Sequence, residues 1–139
     1  MADLSRFIKM QECDFDKALR EMKHGQKLTH WMWYIFPQIA GLGSSGTAQY
    51  YAIRDLDEAK EYYGNEYLRN NLLEISRALL DNPSSDARWV MGWPDDLKLR
   101  SCMTLFNAAC NGDTDVFQKV LDKYYGGEPD VLTLDILGI

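Results

Sequence analysis

From Leu4 to Met22 the apolar side chains fall at Leu4, Phe7, Ile8, Phe15, Ala18, Leu19 and Met22, the spacing of one stripe along an α-helix. Asp3 or Ser5 can cap its start and Gly25 can close its end. Gln11 stands in that stripe where an apolar residue is due, so its amide is expected to face inward and to need partners there. A satisfied core amide and a hydrogen-bonding group in a pocket are both open.

The next stretch, "THWMWYIFPQ", has no phase to read, because six consecutive apolar or aromatic residues fit a strand or two turns of helix equally well. Thr29 as a cap and Pro37 as a stop favour a short helix. The rings are expected either in a core element or in the wall of a binding pocket. "AGLGSSG" follows as a loop, and "DLDEAKEYYGN" reads as a helix capped at Asp55 or Asp57 and closed by Gly64. Asn65 caps a longer helix carrying Leu68, Leu72, Ile75 and Leu79. Ser85 can start a short helix through Met91, and Pro94 suits the first turn of another running through "DDLKLRSCMTLFNAAC". Asp113 opens "TDVFQKVLDKYY", which Gly126 and Gly127 terminate, and Asp130 caps a final turn or two. No pair of strands with a hairpin turn is present. The expectation is an all-α fold: a compact single-domain bundle over residues 1–139 with about seven short to medium helices.

Composition narrows the function classes. With 46% hydrophobic and 26% charged residues the chain is ordinary for a globular protein, and 139 residues suffice for one core without disulfides or metal. Its longest apolar run is too short to span a bilayer, and charges interrupt the first residues where a signal peptide would be apolar, so a cytosolic protein with no membrane partner is expected. A net charge of -6 argues against nucleic acid as a partner. Cys13, Cys102 and Cys110 form no CxxC pair and read as reduced core thiols; on one helix Cys102 and Cys110 would lie roughly 12 Å apart. His24 and His30 have no metal-ligand spacing, so neither a metal nor a cofactor is expected.

Two motifs remain. "GLGSSG", Gly41 to Gly46, matches a dinucleotide-binding turn in letters, but Pro37 precedes it and helices follow where strands are required. A Gly/Ser lid or anion nest beside the aromatic run is the reading its context allows. In "WPDDLKLRSCMTLF" the aspartates favour a helix N-terminus, and Asp96 can pair with Arg100. Ser101 and Thr104 share a face with Leu97 and point two hydroxyls inward, while Lys98 and Ser101 are close enough to touch in the manner of a serine-lysine nucleophile.

Together "HWMWYIFPQIAGLG", "YAIRDLDEA", "PDDLKLRSCMTLF" and "FQKVLDKYYGGEPDVLTLDIL" resemble the bacterial family catalogued as domain of unknown function 1810, over almost the whole chain. Arg6, Phe7, Gln11, His30, Trp31, Trp33, Phe36, Pro37, Gln38, Tyr51, Asp96, Lys98, Ser101, Thr104, Gly127, Asp130 and Thr133 match its pattern. Cys102 departs from it, standing where the family usually shows a second serine, and Gly46 lies outside it. The resemblance implies a compact, mostly helical domain and no particular reaction. Members are sometimes labelled calpastatin-like, yet calpastatin is a disordered inhibitor and this ring-rich chain is not of that kind. A fainter similarity, through "YAIRDLDEAKEYYG", is to the NADAR family of N-glycosidases acting on ADP-ribose conjugates.

These positions frame the functional expectation. Gln11, His30, Gln38, Asp96, Lys98, Ser101 and Thr104 would converge on one pocket beside the rings of Trp31, Trp33 and Tyr51. It would hold a small polar ring-bearing ligand of nucleotide or nucleoside type, with His30, Asp96 or Lys98 as candidate catalytic groups. The alternative is a non-catalytic interaction module using rings among Tyr50, Tyr51, Tyr62, Tyr63, Tyr124 and Tyr125, with a protein partner that the sequence does not identify.

Overall fold

The stripe read from Leu4 to Met22 forms α1 (Ser5–Lys23) in a computed structural model that describes residues 2–139. Phe7, Phe15, Ala18 and Met22 are buried on its inner face, and Asp3 takes up the Ser5 amide at 2.9 Å. Gly25 ends the helix at φ +93°, a conformation that favours glycine. The helices that follow are α2 (Met32–Ile35), α3 (Gly46–Tyr50), α4 (Leu56–Gly64), α5 (Glu66–Asp81), α6 (Ala87–Met91), α7 (Asp95–Ala109), α8 (Val116–Tyr125) and α9 (Val131–Leu137). The fold is all-α, with nine helices among the described residues against about seven expected.

The differences have local causes. α3 buries none of its five residues, so no apolar period announces it; Ser45 starts it by accepting from the Ala48 amide at 3.1 Å. Thr29 does not cap α2, because its hydroxyl donates to Glu21 at 2.5 Å and Trp31 holds the cap position instead. Asp86, not Ser85, caps α6 through the amides of Arg88 and Trp89. Asp113 does not open α8, since it accepts a 2.5 Å bond from the Tyr63 hydroxyl, and Asp115 takes the cap position. Asp55, Asn65 and Asp130 cap α4, α5 and α9 as the sequence predicts.

α1 lies along α5, and α7 packs against α4, α6, α8 and α9, which makes α7 the central helix. Through the middle runs a column of rings: Phe7 meets Tyr62 edge-on at 5.2 Å, Tyr62 meets Phe106 at 4.9 Å, and Phe106 meets Phe117 at 6.2 Å. Between α2 and α4 the chain makes one parallel bridge, Ile39 to Ile53, where Ile53 donates to the Gln38 carbonyl at 2.8 Å and Ala40 to the Ile53 carbonyl at 2.7 Å. Both isoleucines are buried, so this clamp fixes Gln38 and the Gly/Ser loop against the body of the bundle.

Cys102 and Cys110 are free and buried, and burial pushes the Cys102 thiol well up; Cys13 is exposed and is not a core thiol. Among the described residues no helix is long and apolar enough to cross a membrane. Of the six tyrosines considered as a docking surface, Tyr62, Tyr63 and Tyr124 are buried in the core and only Tyr50 is exposed, at 61%.

Candidate functional site

One face of α7 carries Asp95, Lys98 and Ser101, spaced by three residues and therefore stacked one above the other. Opposite them lie Gln38, just before the Ile39 clamp, and the loop Leu42–Ser45. The space between is a cleft of about 460 Å³, floored at one end by Ser101 and Asp130 and rimmed by Leu42, Leu97 and Leu132. From it a narrow arm runs inward between Trp33, Phe36 and Tyr51; Gln38, Gly43, Ala48 and Lys98 line both parts. The arm offers about 20 Å³, room for one water, so a ring must lie in the outer cleft and not between the aromatic walls.

Lys98 is the cation of this cleft. Its Nζ is 3.5 Å from Asp95 Oδ1 and 5.5 Å from the centre of the Trp33 ring. Asp95 Oδ2 is itself 2.9 Å from the ammonium of Lys27, whose side chain is only 6% exposed and also donates to the Thr29 carbonyl at 2.6 Å. One carboxylate thus serves two ammonium groups, and the surplus positive charge sits with Lys98 at the cleft.

Asp130 is the anion. Its Oδ2 accepts from Ser101 Oγ at 3.1 Å, from the Thr133 amide at 3.0 Å and from Thr133 Oγ1 at 2.6 Å. Its own amide donates to Thr104 Oγ1 at 2.8 Å, while that hydroxyl donates to the Arg100 carbonyl at 2.8 Å. Ser101 and Thr104 therefore do point inward, and both tie the start of α9 to α7. Ser101 donates to Asp130 and to the Leu97 carbonyl, not to Lys98, which removes the geometry of a serine-lysine nucleophile.

Gly43 is required by contact. A Cβ there would sit 2.6 Å from the Ala48 Cβ, a rigid neighbour that cannot rotate away. Gly43→Ala is expected to displace the Leu42–Ser45 loop and to cost about 1–3 kcal/mol, the usual range for overpacking. Urea titration reads the cost, and amide chemical-shift changes confined to the loop and α3 read the displacement.

Of the ten positions singled out in the sequence, Trp33, Gln38, Tyr51, Lys98 and Ser101 line the cleft or its arm. The other five lie elsewhere. Gln11 is in the core, donating to the Tyr34 carbonyl at 2.8 Å and the Tyr62 hydroxyl at 2.9 Å and accepting from Asn71 at 3.0 Å. Trp31 is fully buried with its indole donating to Glu21 at 2.9 Å. Thr104 is buried beneath Asp130, and His30 is exposed and lines neither the cleft nor its arm. Asp96 faces a separate shallow depression with Arg100 and Tyr125, and its Oδ1 is buried without a partner among the described residues. The Asp96–Arg100 pair does not form: Arg100 donates to the Glu128 carbonyl at 2.9 Å and lies over the Tyr125 ring. Sequence reasoning did not place Asp95 and Asp130 among the site groups, reading Asp95 as a helix-dipole residue and Asp130 as a cap and a position of the family pattern. Among the described residues no cluster of three or more His, Cys, Asp or Glu side chains is placed to hold a metal ion.

Comparison with known proteins gives the chain a family. The model of a protein family of unknown function, DUF1810, matches residues 1–137. A conserved hypothetical protein of Mycobacterium tuberculosis, Rv1873, known from a crystal structure, is 39% identical over 99% of this chain and 97% of its own, with a TM-score of 0.95. None of the curated proteins compared matches it. On the strength of the family match and of this close structural likeness, the chain belongs to the DUF1810 family.

Proposed function

We propose that the α7 cleft is a cytosolic binding site for a small polar ring-bearing ligand of nucleotide or nucleoside type, with ADP-ribose compounds in the same class. The observation that carries this reading is the meeting of Lys98, Gln38, Ser101 and Asp130, from three separate segments, around a hollow of small-molecule size with an apolar rim. Gln38 supplies an amide that can orient a ligand, Lys98 an ammonium for its anion, and Leu97 and Leu132 apolar faces for a ring. The hydroxyl–carboxylate pair in the cleft, Ser101 on Asp130, uses a carboxylate oxygen already committed to Thr133 and the α9 cap, which favours binding over bond cleavage.

A thermal-shift screen of the whole chain against nucleotides, nucleosides and ADP-ribose tests it. A member at a hundredfold excess over its Kd adds about 2.7 kcal/mol and raises the Tm by several degrees. Gln38→Ala is expected to reduce that rise while leaving the ligand-free Tm within about 1 °C, since the side chain is half-buried at the cleft wall. No rise with any compound of the panel would sink the reading.

A second reading, a protein-interaction module, is favoured by a different observation: Trp89 and Trp93 are more than 60% exposed, as is Val131, and Leu97 and Leu132 at the cleft are exposed too. On that reading Trp93→Ala abolishes a partner's binding and no small molecule shifts the Tm.

A further inference from the structure

The cleft has two poles of opposite chemistry one helical turn apart, and this narrows what can occupy it. At one pole stands Lys98, whose carboxylate neighbour Asp95 is shared with the buried ammonium of Lys27. Beside it runs the Gly/Ser loop. Among the described residues the amides of Gly43, Ser44 and Ser45 meet no protein acceptor, although all three residues line the cleft. Amides left free for a ligand, in an exposed loop that shares the cleft with Lys98, are donors that a phosphate can use together with the ammonium, which meets it as a point charge. At the other pole Asp130 is held rigidly. Three bonds to Oδ2 and one from its amide to Thr104 fix the carboxylate, and none of those bonds uses Oδ1. A fixed carboxylate oxygen beside a serine hydroxyl is an acceptor for sugar hydroxyls, as carboxylates are in nucleotide sites generally.

Lys98 and Ser101 are three residues apart on α7, about 4.5 Å along its axis. That separation suits a pentose carrying a phosphate on one side and its ring hydroxyls on the other. The narrow arm beyond, with room for one water, excludes the base, and the outer rim of Leu97 and Leu132 leaves it only an open apolar face.

The geometry points to a ribosyl 5′-phosphate unit as the recognised part of the ligand, with Lys98 and the Gly43–Ser45 amides taking the phosphate, and Asp130 with Ser101 taking the ring hydroxyls. This rests on the nucleotide-type reading of the same cleft. It also makes the base dispensable, which that reading does not require.

Calorimetric titration of the whole chain separates the two. The probes are adenosine 5′-monophosphate, ribose 5-phosphate, adenosine and adenine, against the native chain, Asp130→Asn and Lys98→Gln. Asp130→Asn keeps an oxygen for the α9 cap, and Lys98→Gln removes a half-buried charge, so both are expected to fold. The inference expects ribose 5-phosphate to bind within tenfold of the monophosphate, adenine not to bind, and adenosine to bind at least tenfold more weakly. Lys98→Gln weakens both phosphates at least tenfold, and Asp130→Asn does the same without changing the Tm of the free protein by more than a few degrees. Adenosine or adenine binding as tightly as the monophosphate, or Asp130→Asn binding unchanged, overturns this inference while the nucleotide-type reading stands. Binding by none of the four overturns both.

Discussion

Replacing Glu21 by alanine is expected to destabilise the fold by about 3 kcal/mol, the largest effect of any single polar substitution in the chain. Glu21, buried near the end of α1, is the acceptor that shapes the α1–α2 connection. Its Oε1 takes the Leu28 amide at 2.7 Å, the Thr29 amide at 3.0 Å and the Trp31 indole at 2.9 Å, while Oε2 takes the Thr29 hydroxyl at 2.5 Å. Alanine strands all four donors, and the indole is fully buried, so water cannot replace the lost acceptor there.

The same contacts set a pH dependence. Burial alone would raise the carboxyl of Glu21, but the Thr29 hydroxyl, the amides of Leu28 and Thr29, and the Trp31 indole outweigh it and hold the group at about 2 against an ordinary 4.5. A folded-state value below the unfolded one means that the unfolded chain binds the proton first. The contribution is therefore complete above about pH 4.5 and is lost as pH falls toward 2. Urea titrations of the native chain and Glu21→Gln are expected to differ most at pH 7 and to converge between pH 4 and pH 2. A difference that stays constant across that window would show that Glu21 acts by packing alone.

Gln11→Ala ranks next, at about 2 kcal/mol. The amide satisfies the Tyr34 carbonyl and the Tyr62 hydroxyl and accepts from Asn71, so its removal leaves a cavity in the α1 stripe and unpaired polar atoms deep in the bundle. Tyr62 is fully buried, and burial pushes its hydroxyl far above the ordinary tyrosine range, so it cannot relieve the loss by ionising. Gln11→Leu combined with Tyr62→Phe is expected to cost less than the two single costs added, because the double change removes a polar pair together. Additive costs in the double-mutant cycle would show that Gln11 and Tyr62 are not coupled. Ligand affinity of either Gln11 variant, measured below its Tm, is expected to equal that of the native chain, since Gln11 lies outside the cleft.

The fold was largely legible because the longer helices bury an apolar stripe and several of the others start at a side-chain cap, and both signals are local. α1, α4, α5, α7 and α8 follow from stripes, and the starts of α4, α5 and α9 from the oxygens of Asp55, Asn65 and Asp130. α3 was hidden because it buries nothing. The aromatic run hid more, since an all-apolar segment has no phase: Trp31 and Trp33 are two residues apart, yet the first is sealed in the core and the second walls the cleft arm. Asp95 and Asp96 show the reverse case, in which the helical period separates two neighbouring carboxylates. Counting by three from Lys98 and Ser101 reaches Asp95, the residue that meets both lysines, while Asp96 is turned about 100° away toward Arg100 and Tyr125. Of the ten positions expected at the site, the five that line the cleft or its arm come from α2, the segments that follow α2 and α3, and one face of α7. Asp130 was not legible as a site group, because its role as a helix cap already explained it, and only the packing of α9 on α7 brings it beside Ser101.

The proposed meeting of ligand and cleft at Lys98 and Asp130 is tested most directly by a crystal of the whole chain soaked with adenosine 5′-monophosphate. Density with the phosphate within hydrogen-bond distance of Lys98 Nζ and the ribose hydroxyls against Asp130 is the result expected. Full occupancy of the nucleotide at any other surface, with the α7 cleft holding only water, would contradict it.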